Sequence, residues 1–325
     1  MRLLKLVPDN TNIDFLRVRT VALVISALLI AASIGLLATR GLNFGVDFAG
    51  GQMIRVTFQQ PPELDELRQR VDSLGHGGTN IQEFGSRSEI AIRMALPEGG
   101  EEGANAAATE VRQMLAQNYP GSRVDAVETV SGKVSDELVR AGALALLFAM
   151  IAISIYIWLR FEWQFGVGAL ASLFHDVTIT LGFFALTQLE FDLNVVAALL
   201  TLIGYSLNDT IVVYDRIREN LRKYRKMEMV PLLNLSVNET LSRTIATNLS
   251  MLLALGALFL LGPDVIYSFT FALLVSVFIG TYSTVYIAAP WLVWLKVTSD
   301  SFLPKDPVSR AARGPRNETD DGARV

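Results

Sequence analysis

Six separate runs of apolar residues, each close to the length a bilayer core requires, confine this chain to a narrow set of folds. A hydrocarbon layer of about 30 Å takes about 20 helical residues to cross. Val18 to Ala38, Leu138 to Leu159, Phe165 to Leu186, Val195 to Val213, Thr244 to Leu261 and Val265 to Ala289 all approach that length. In lipid every backbone N–H and C=O must be paired within the protein, so such runs predict membrane-spanning helices. Composition agrees. Of 325 residues 51% are hydrophobic and 18% charged, with a mean hydropathy of +0.38, which does not suit a water-soluble globule.

The first run is preceded by Pro8 and Asp14 and is long for a signal peptide, so it reads as an uncleaved span. Orientation follows from Lys and Arg in the short connections. Arg2, Lys5, Arg17 and Arg19 precede span one, Arg160 lies between spans two and three, and Arg216, Arg218, Arg222, Lys223, Arg225 and Lys226 lie between spans four and five. The opposite connections, Thr187 to Asn194 and Gly262 to Asp264, carry Glu190, Asp192 and Asp264 but no Lys or Arg. Both termini are therefore expected in the cytoplasm, with the polar stretch between spans one and two on the outer face. The expected organisation is a cytoplasmic segment 1–17, span one at 18–38, an outer domain at 40–136, spans two to six within 138–295 with a basic cytoplasmic loop at 214–243, and a disordered cytoplasmic tail at 296–325 rich in charge, Pro and Gly.

The outer stretch reads as β-α-β-β-α-β. Gln52 to Phe58 is strand-prone. A helix follows Pro61-Pro62 with Leu64, Leu67, Val71 and Leu74 on one face before Gly75, and strands at Thr79 to Phe84 and Glu89 to Ala95 flank a turn at Gly85. A second helix with Ala104, Ala108, Val111 and Leu115 on one stripe ends at Pro120-Gly121, and Arg123 to Val130 forms the last strand. That order predicts a small α+β, ferredoxin-like domain, an architecture that does not by itself specify a function.

Counting excludes several chemistries. There is no cysteine, so disulfides and thiolate metal sites are out, and the two histidines, His76 and His175, cannot build a multi-histidine zinc site. No phosphate-cradling GxxxxGK[ST] occurs, and a net charge of −4 does not point to nucleic acid. No cofactor, metal or catalytic site is expected, so work done by this chain draws energy from elsewhere.

Charged groups inside an apolar span cost about 2.5–3.5 kcal/mol each on insertion scales and need a partner, a cavity or a function. Asp209, in Gly204-Tyr205-Ser206-Leu207-Asn208-Asp209-Thr210, either opens the cytoplasmic loop or faces the bundle interior; Ile211-Val212-Val213 after it favours the interior. Arg243, at the start of span five, either snorkels to the interface or pairs with Asp209. Lys226 is midway between the two, so a symmetric hairpin sets both at similar depth. Thr247 falls one turn beyond Arg243 on the same face, with Asn248 beside it. His175 and Asp176 sit near the centre of span three. The histidine reads either as a satisfied hydrogen-bonding residue or as a proton carrier, and since helical neighbours point about 100° apart the pair is not expected to serve one spot. Two carboxylates, an imidazole and a guanidinium over three spans suit proton transfer. Burial favours a neutral carboxyl and a nearby Arg favours its charged form.

At this point the residues resemble a known family. Gly45-Val46-Asp47-Phe48-Ala49-Gly50-Gly51 after span one, Arg160-Phe161-Glu162-Trp163-Gln164, Phe174-His175-Asp176, the string from Gly204 to Arg216, Asn238-Glu239-Thr240-Leu241-Ser242-Arg243-Thr244 and Gly280-Thr281-Tyr282-Ser283 resemble the SecF family of protein-export membrane subunits, within the resistance-nodulation-division superfamily. Only the tail falls outside the likeness. The resemblance implies a multi-pass protein of the bacterial inner membrane with a periplasmic domain. It would pair with SecD as a heterodimer and work with the SecYEG channel and SecA, with YajC and YidC as further partners, to move polypeptides using the proton motive force. By the same likeness Asp209, Arg243 and Thr247 are the proton-pathway residues, supported by His175, Asp176, Ser206, Asn208 and Asn248. Gly45, Asp47, Gly50 and Gly51 form a motif at the joint between span one and the sheet, where the glycines read equally as a strand-entry turn. Two rivals remain: a proton-coupled small-molecule exporter of the same superfamily, and a passive scaffold for a membrane complex.

Overall fold

The computed structural model describes Pro8 and residues 11–76, 79–84, 86–96 and 100–297. The turn at Gly85 and nearly all of the tail lie outside the described residues. A 3-10 turn at Phe15–Val18 leads into α1 (Arg19–Thr39). The chain then runs through β1 (Asn43–Phe44), a short helix α2 (Val46–Ala49), β2 (Gly51–Thr57), α3 (Leu64–Asp72), β3 (Asn80–Phe84), β4 (Ser86–Met94), α4 (Gly100–Asn118) and β5 (Arg123–Val130). Next come α5 (Gly132–Arg160), α6 (Trp163–Thr187), β6 (Glu190–Phe191), α7 (Leu193–Lys223), α8 (Met229–Leu261), α9 (Tyr267–Ser283) and α10 (Ala289–Trp294). Among the described residues six helical segments are long and apolar enough to cross a membrane: Phe15–Thr39, Gly132–Arg160, Trp163–Thr187, Leu193–Lys223, Met229–Leu261 and Tyr267–Trp294.

Between α1 and α5 the four longer strands form one antiparallel sheet in the order β3-β4-β2-β5. Strand alternation sends Ile54, Val56, Ile90 and Ile92 to one face, where Leu67 and Val71 of α3 and Ala107, Ala108, Val111 and Leu115 of α4 close the core. The other face carries Met53 and Ala91, covered by Val46 of α2, together with Arg55 and Arg93. The first residue of β2, Gly51, has φ +108, and a Cβ there would meet the Met94 carbonyl oxygen at 2.6 Å. Gly51→Ala combines a disfavoured backbone with a clash against a sheet carbonyl, so it is expected to cost about 2 kcal/mol. A thermal midpoint measured in detergent and left unchanged by that substitution would refute the account.

In the helical bundle α6, α7 and α9 form the buried core, while α1, α5 and α8 leave most of their apolar surface uncovered. Small residues allow the close approaches. Any Cβ on Gly168 of α6 would strike the Tyr214 hydroxyl, one on Gly182 would strike Ser33 of α1, and one on Gly280 of α9 would lie 3.3 Å from Ser206 of α7. The last span is not continuous α-helix. Pro290 lacks an N–H and crowds the preceding turn, and the helix widens into a π-turn at Thr284–Ala288 just before it. The Tyr214 hydroxyl donates to the Ala288 carbonyl at 3.1 Å within this segment.

The segment 214–243, expected as a basic loop, is helical through most of its length, with α7 ending at Lys223 and α8 starting at Met229. Polar pairing and burial both hold the extension. Arg216 bonds Glu239 at 2.8 Å, Asn220 donates to the Ser236 hydroxyl at 3.0 Å, and Leu221, Leu232 and Leu233 pack together. Asn234 and Asn238 of α8 also accept from the backbone N–H groups of Leu16 and Ile13, which docks the start of span one onto this hairpin.

Candidate functional site

Because α6 is packed against α1, α7 and α9, the polar residues at its centre reach neither lipid nor solvent: Asp176 is 0% and His175 1% exposed. An ion in that position must be satisfied by hydrogen bonds, and three spans contribute. His175 Nδ1 lies 2.9 Å from Asp176 Oδ1, while the hydroxyls of Ser206 on α7 and Ser283 on α9 donate to Asp176 Oδ2 at 2.5 and 2.9 Å. Ser172, one turn earlier on α6, donates to Ser283 at 3.0 Å. The expectation that His175 and Asp176 serve separate spots is corrected here. Their Cβ directions diverge, yet the imidazole is long enough to reach its neighbour's carboxylate.

Asp209 points into the bundle and is 5% exposed. It is three residues beyond Ser206 on α7, about 4.5 Å of helical rise. The groups acting on its carboxylate are the Asn248 amide and, by charge, Arg243. Around them runs a second polar chain. Tyr205 donates to Asn248 Oδ1 at 2.7 Å, Asn248 Nδ2 donates to Thr281 at 2.7 Å, and Thr210 and Thr284 share a bond of 3.1 Å.

The symmetric hairpin expected from the sequence is present: Tyr205 meets Asn248, Arg216 meets Glu239, and Asn220 meets Ser236. Asp209 and Arg243 thus share a depth but not a contact. No ion pair joins them among the described residues, and Arg243 and Thr247 lie exposed on α8, where the Thr247 hydroxyl donates back to the Arg243 carbonyl at 3.1 Å. Direct pairing within this chain is therefore corrected. Helix rotation turns Asp209 inward and Arg243 outward. Asn208 is also exposed.

The glycine motif builds a joint. Gly45 donates its N–H to the Phe191 carbonyl at 2.9 Å, β1 pairs with β6 in parallel, and Asp47 accepts from the Leu193 N–H at 3.0 Å, at the start of α7. Gly50, with φ +69, and Gly51 then turn the chain into the sheet. On the sheet face that α2 covers, Arg93 bonds Glu190 at 3.1 Å and the Phe44 carbonyl at 2.5 Å. Burial pushes the Glu190 carboxyl above the usual carboxylate range, and the Arg93 and Arg55 guanidiniums offset only part of that shift.

Sequence reasoning overlooked Ser172, Tyr205, Thr210, Thr281, Tyr282, Ser283 and Thr284, and treated Glu190 only as a loop charge. Hydroxyls in a span satisfy themselves by bonding a carbonyl one turn back, so they stand out less than a carboxylate. Their one signal was placement: Tyr205 and Thr210 fall in the resembling string of span four, and Thr281, Tyr282 and Ser283 in that of span six.

Comparison with known proteins is concordant. The family model for the C-terminal region of the protein export membrane proteins SecD and SecF matches residues 110–298, and the SecD/SecF GG motif model matches residues 35–62. Protein translocase subunit SecF of Desulfurispirillum indicum is 45% identical over 287 residues, covering 87% of this chain and 91% of the relative. SecF of Rickettsia rickettsii is 43% identical, covering 89% and 94%. A crystal structure of SecDF from Thermus thermophilus, described as a translocon-associated membrane protein, superposes with a TM-score of 0.82 at 33% identity over 90% of this chain. A super-membrane-facing form of SecDF gives 0.63 at 32% identity. In each case this chain corresponds to 40% of the SecDF chain. With a family model over more than half its length and full-length relatives above 40% identity, this multi-pass chain belongs to the SecF family of protein-export membrane proteins.

Proposed function

We propose that this chain is the SecF half of a heterodimer with SecD in the bacterial inner membrane, and that the pair uses the proton motive force to promote export of polypeptides and their release. The observation that carries the reading is Asp209, a carboxylate inside a membrane-spanning helix, beside an Arg243 that its own chain leaves exposed. A guanidinium flanking an apolar span needs cover. The α8 face bearing Arg243 and Thr247 fits a homologous bundle that would bring a further acid to complete the path.

In this reading Asp209 takes a proton from the outer compartment and delivers it inward as access alternates, with Arg243 as counter-charge and Thr247, Ser206, Asn208 and Asn248 as polar lining. Each charge crossing the potential releases about 2.3 kcal/mol per 100 mV. The positive residues at the α7–α8 turn support cytoplasmic termini and a periplasmic α/β domain, and the strand order β3-β4-β2-β5 supports a ferredoxin-like sheet. By the family likeness the outer domain changes orientation, hinged at Gly45, Asp47, Gly50 and Gly51, to hinder backsliding of the client. SecYEG, SecA, YajC and YidC enter as partners through the family.

The test is completion of a stalled export intermediate in membrane vesicles with and without this chain and SecD. The chain-dependent part of the rate is expected to vanish on addition of a protonophore. A chain-dependent rate that survives collapse of the gradient overturns the proton-driven reading, and gradient-driven accumulation of a labelled hydrophobic compound in its place would favour the exporter.

A further inference from the structure

We propose that His175 and Asp176 form a proton-binding station in the bundle core, separate from Asp209, with His175 Nε2 as the atom that takes the proton. The site stands on geometry; its role in export rests on the proton-driven reading above.

Hydrogen-bond direction assigns the resting state. Asp176 Oδ2 accepts from two hydroxyls, and Ser172 donating to Ser283 leaves the Ser283 proton free for Asp176 rather than for the more distant Gly280 carbonyl at 3.2 Å. Two hydroxyls donating to one oxygen favour the ionised carboxylate, which is acceptor-only. His175 Nδ1 at 2.9 Å from Oδ1 therefore carries the hydrogen, and Nε2 is left with a bare lone pair. That nitrogen is buried and has no hydrogen-bond partner among the described residues. A proton arriving there exchanges a bare acceptor for an N–H donor, and the gain is electrostatic, because among the described residues the buried Asp176 carboxylate has no Lys or Arg partner and acquires its counter-charge from the ring. The proton forms an N–H bond at Nε2, the ring becomes imidazolium, Nδ1 keeps its hydrogen, and the +1 charge faces the Asp176 carboxylate at hydrogen-bond distance.

The surroundings fit a site that loads and empties. His175 stacks on Tyr282 of α9 with ring centroids 5.9 Å apart, and the Tyr282 hydroxyl is held by Ser26 and the Ala22 carbonyl of α1 at 3.0 and 2.7 Å. Tyr286 lies beyond it at 5.1 Å. From α7 the facing groups are Ser206 and, three residues on, Asp209, whose own counter-charge is Arg243 on α8. On the α5 side Met150 and Ile153 pack against Leu173, Leu202 and Ile203. Asp176 forms no ion pair with Lys or Arg among the described residues, so the charge on His175 decides whether this core is net negative or neutral. The contacts of the station reach α1 and α9 as well.

The chain has two histidines, which makes the test direct. Full-length chain with SecD, labelled with 15N-histidine in lipid bilayers, is followed by solid-state NMR from about pH 5 to 9, with His76→Gln to assign the signals. His175 Nε2 is expected to change reversibly between bare and protonated while Nδ1 stays protonated throughout. An Nε2 signal that does not move across the range overturns the proposal. His175→Asn keeps an amide N–H toward Asp176 and deletes Nε2. It is expected to accumulate normally and lose at least tenfold of the gradient-dependent export rate, and full export in that variant also overturns the proposal. The two readings fail separately. Loss of export in Asp209→Asn with a silent Nε2 keeps the export reading and removes this station, whereas a titrating Nε2 with export indifferent to Asp209→Asn does the reverse.

Discussion

Asp209→Asn is expected to accumulate and assemble with SecD at wild-type levels while losing the gradient-dependent part of export entirely. The amide matches the carboxyl in shape and can still bond the Asn248 side chain, and the packing around it, Leu202 and Ser206 before it and Thr210 and Val213 after it, is unaltered. What it lacks is a titratable oxygen. A group that carries protons across a potential contributes only through the difference between its charged and neutral states, and Asn has one state. Residual, gradient-independent export should remain because the sheet domain and its joint are intact. The measurement is the vesicle assay with and without protonophore. Wild-type stimulation in Asp209→Asn would reduce the chain to a scaffold, since a scaffold gains nothing from a titratable group in its core.

Asp176→Ala is expected to destabilise the bundle by about 3 kcal/mol or more. Removing the carboxylate strands the His175 Nδ1–H and the hydroxyls of Ser206 and Ser283, donors from three spans that Asp176 now gathers. An unsatisfied buried donor costs about 1–3 kcal/mol. The serines recover part of this by turning to carbonyls of their own helices, while the imidazole has no such local escape. Asp176→Asn, which keeps an acceptor oxygen, should lose much less. Thermal midpoints of the purified pair in detergent check the order wild type, Asn, Ala. A midpoint for Asp176→Ala within error of wild type would show that the hydroxyls do not depend on this acceptor.

These two carboxylates show where sequence reading reached its limit. Both were visible as charges in apolar spans, and the depth shared by Asp209 and Arg243 followed from counting residues to Lys226. Their partners were not visible. The pairing of Asp209 with Arg243 looked natural on one hairpin, but rotation of α8 sends Arg243 to the surface, while Asp176 is satisfied by α7 and by a serine 107 positions away on α9. The loop read at 214–243 failed for a related reason. Its charges look solvated when taken singly, and only the opposing helix shows that Arg216 faces Glu239 and that Leu221 is buried against Leu232 and Leu233.

Hydropathy and local spacing are properties of consecutive residues, so the sequence alone determined the number of apolar spans, the order of strands and helices from β2 to β5 though not β1 and α2 before them, and the residues that sit unusually deep. Tertiary structure alone decided which way each span faces and which side chains meet, because a helix apolar all round carries no stripe to orient it. Rotation is set instead by where glycine and serine allow backbones to close in, as at Gly168 with Tyr214, Gly182 with Ser33 and Gly280 with Ser206, contacts between segments far apart in the chain.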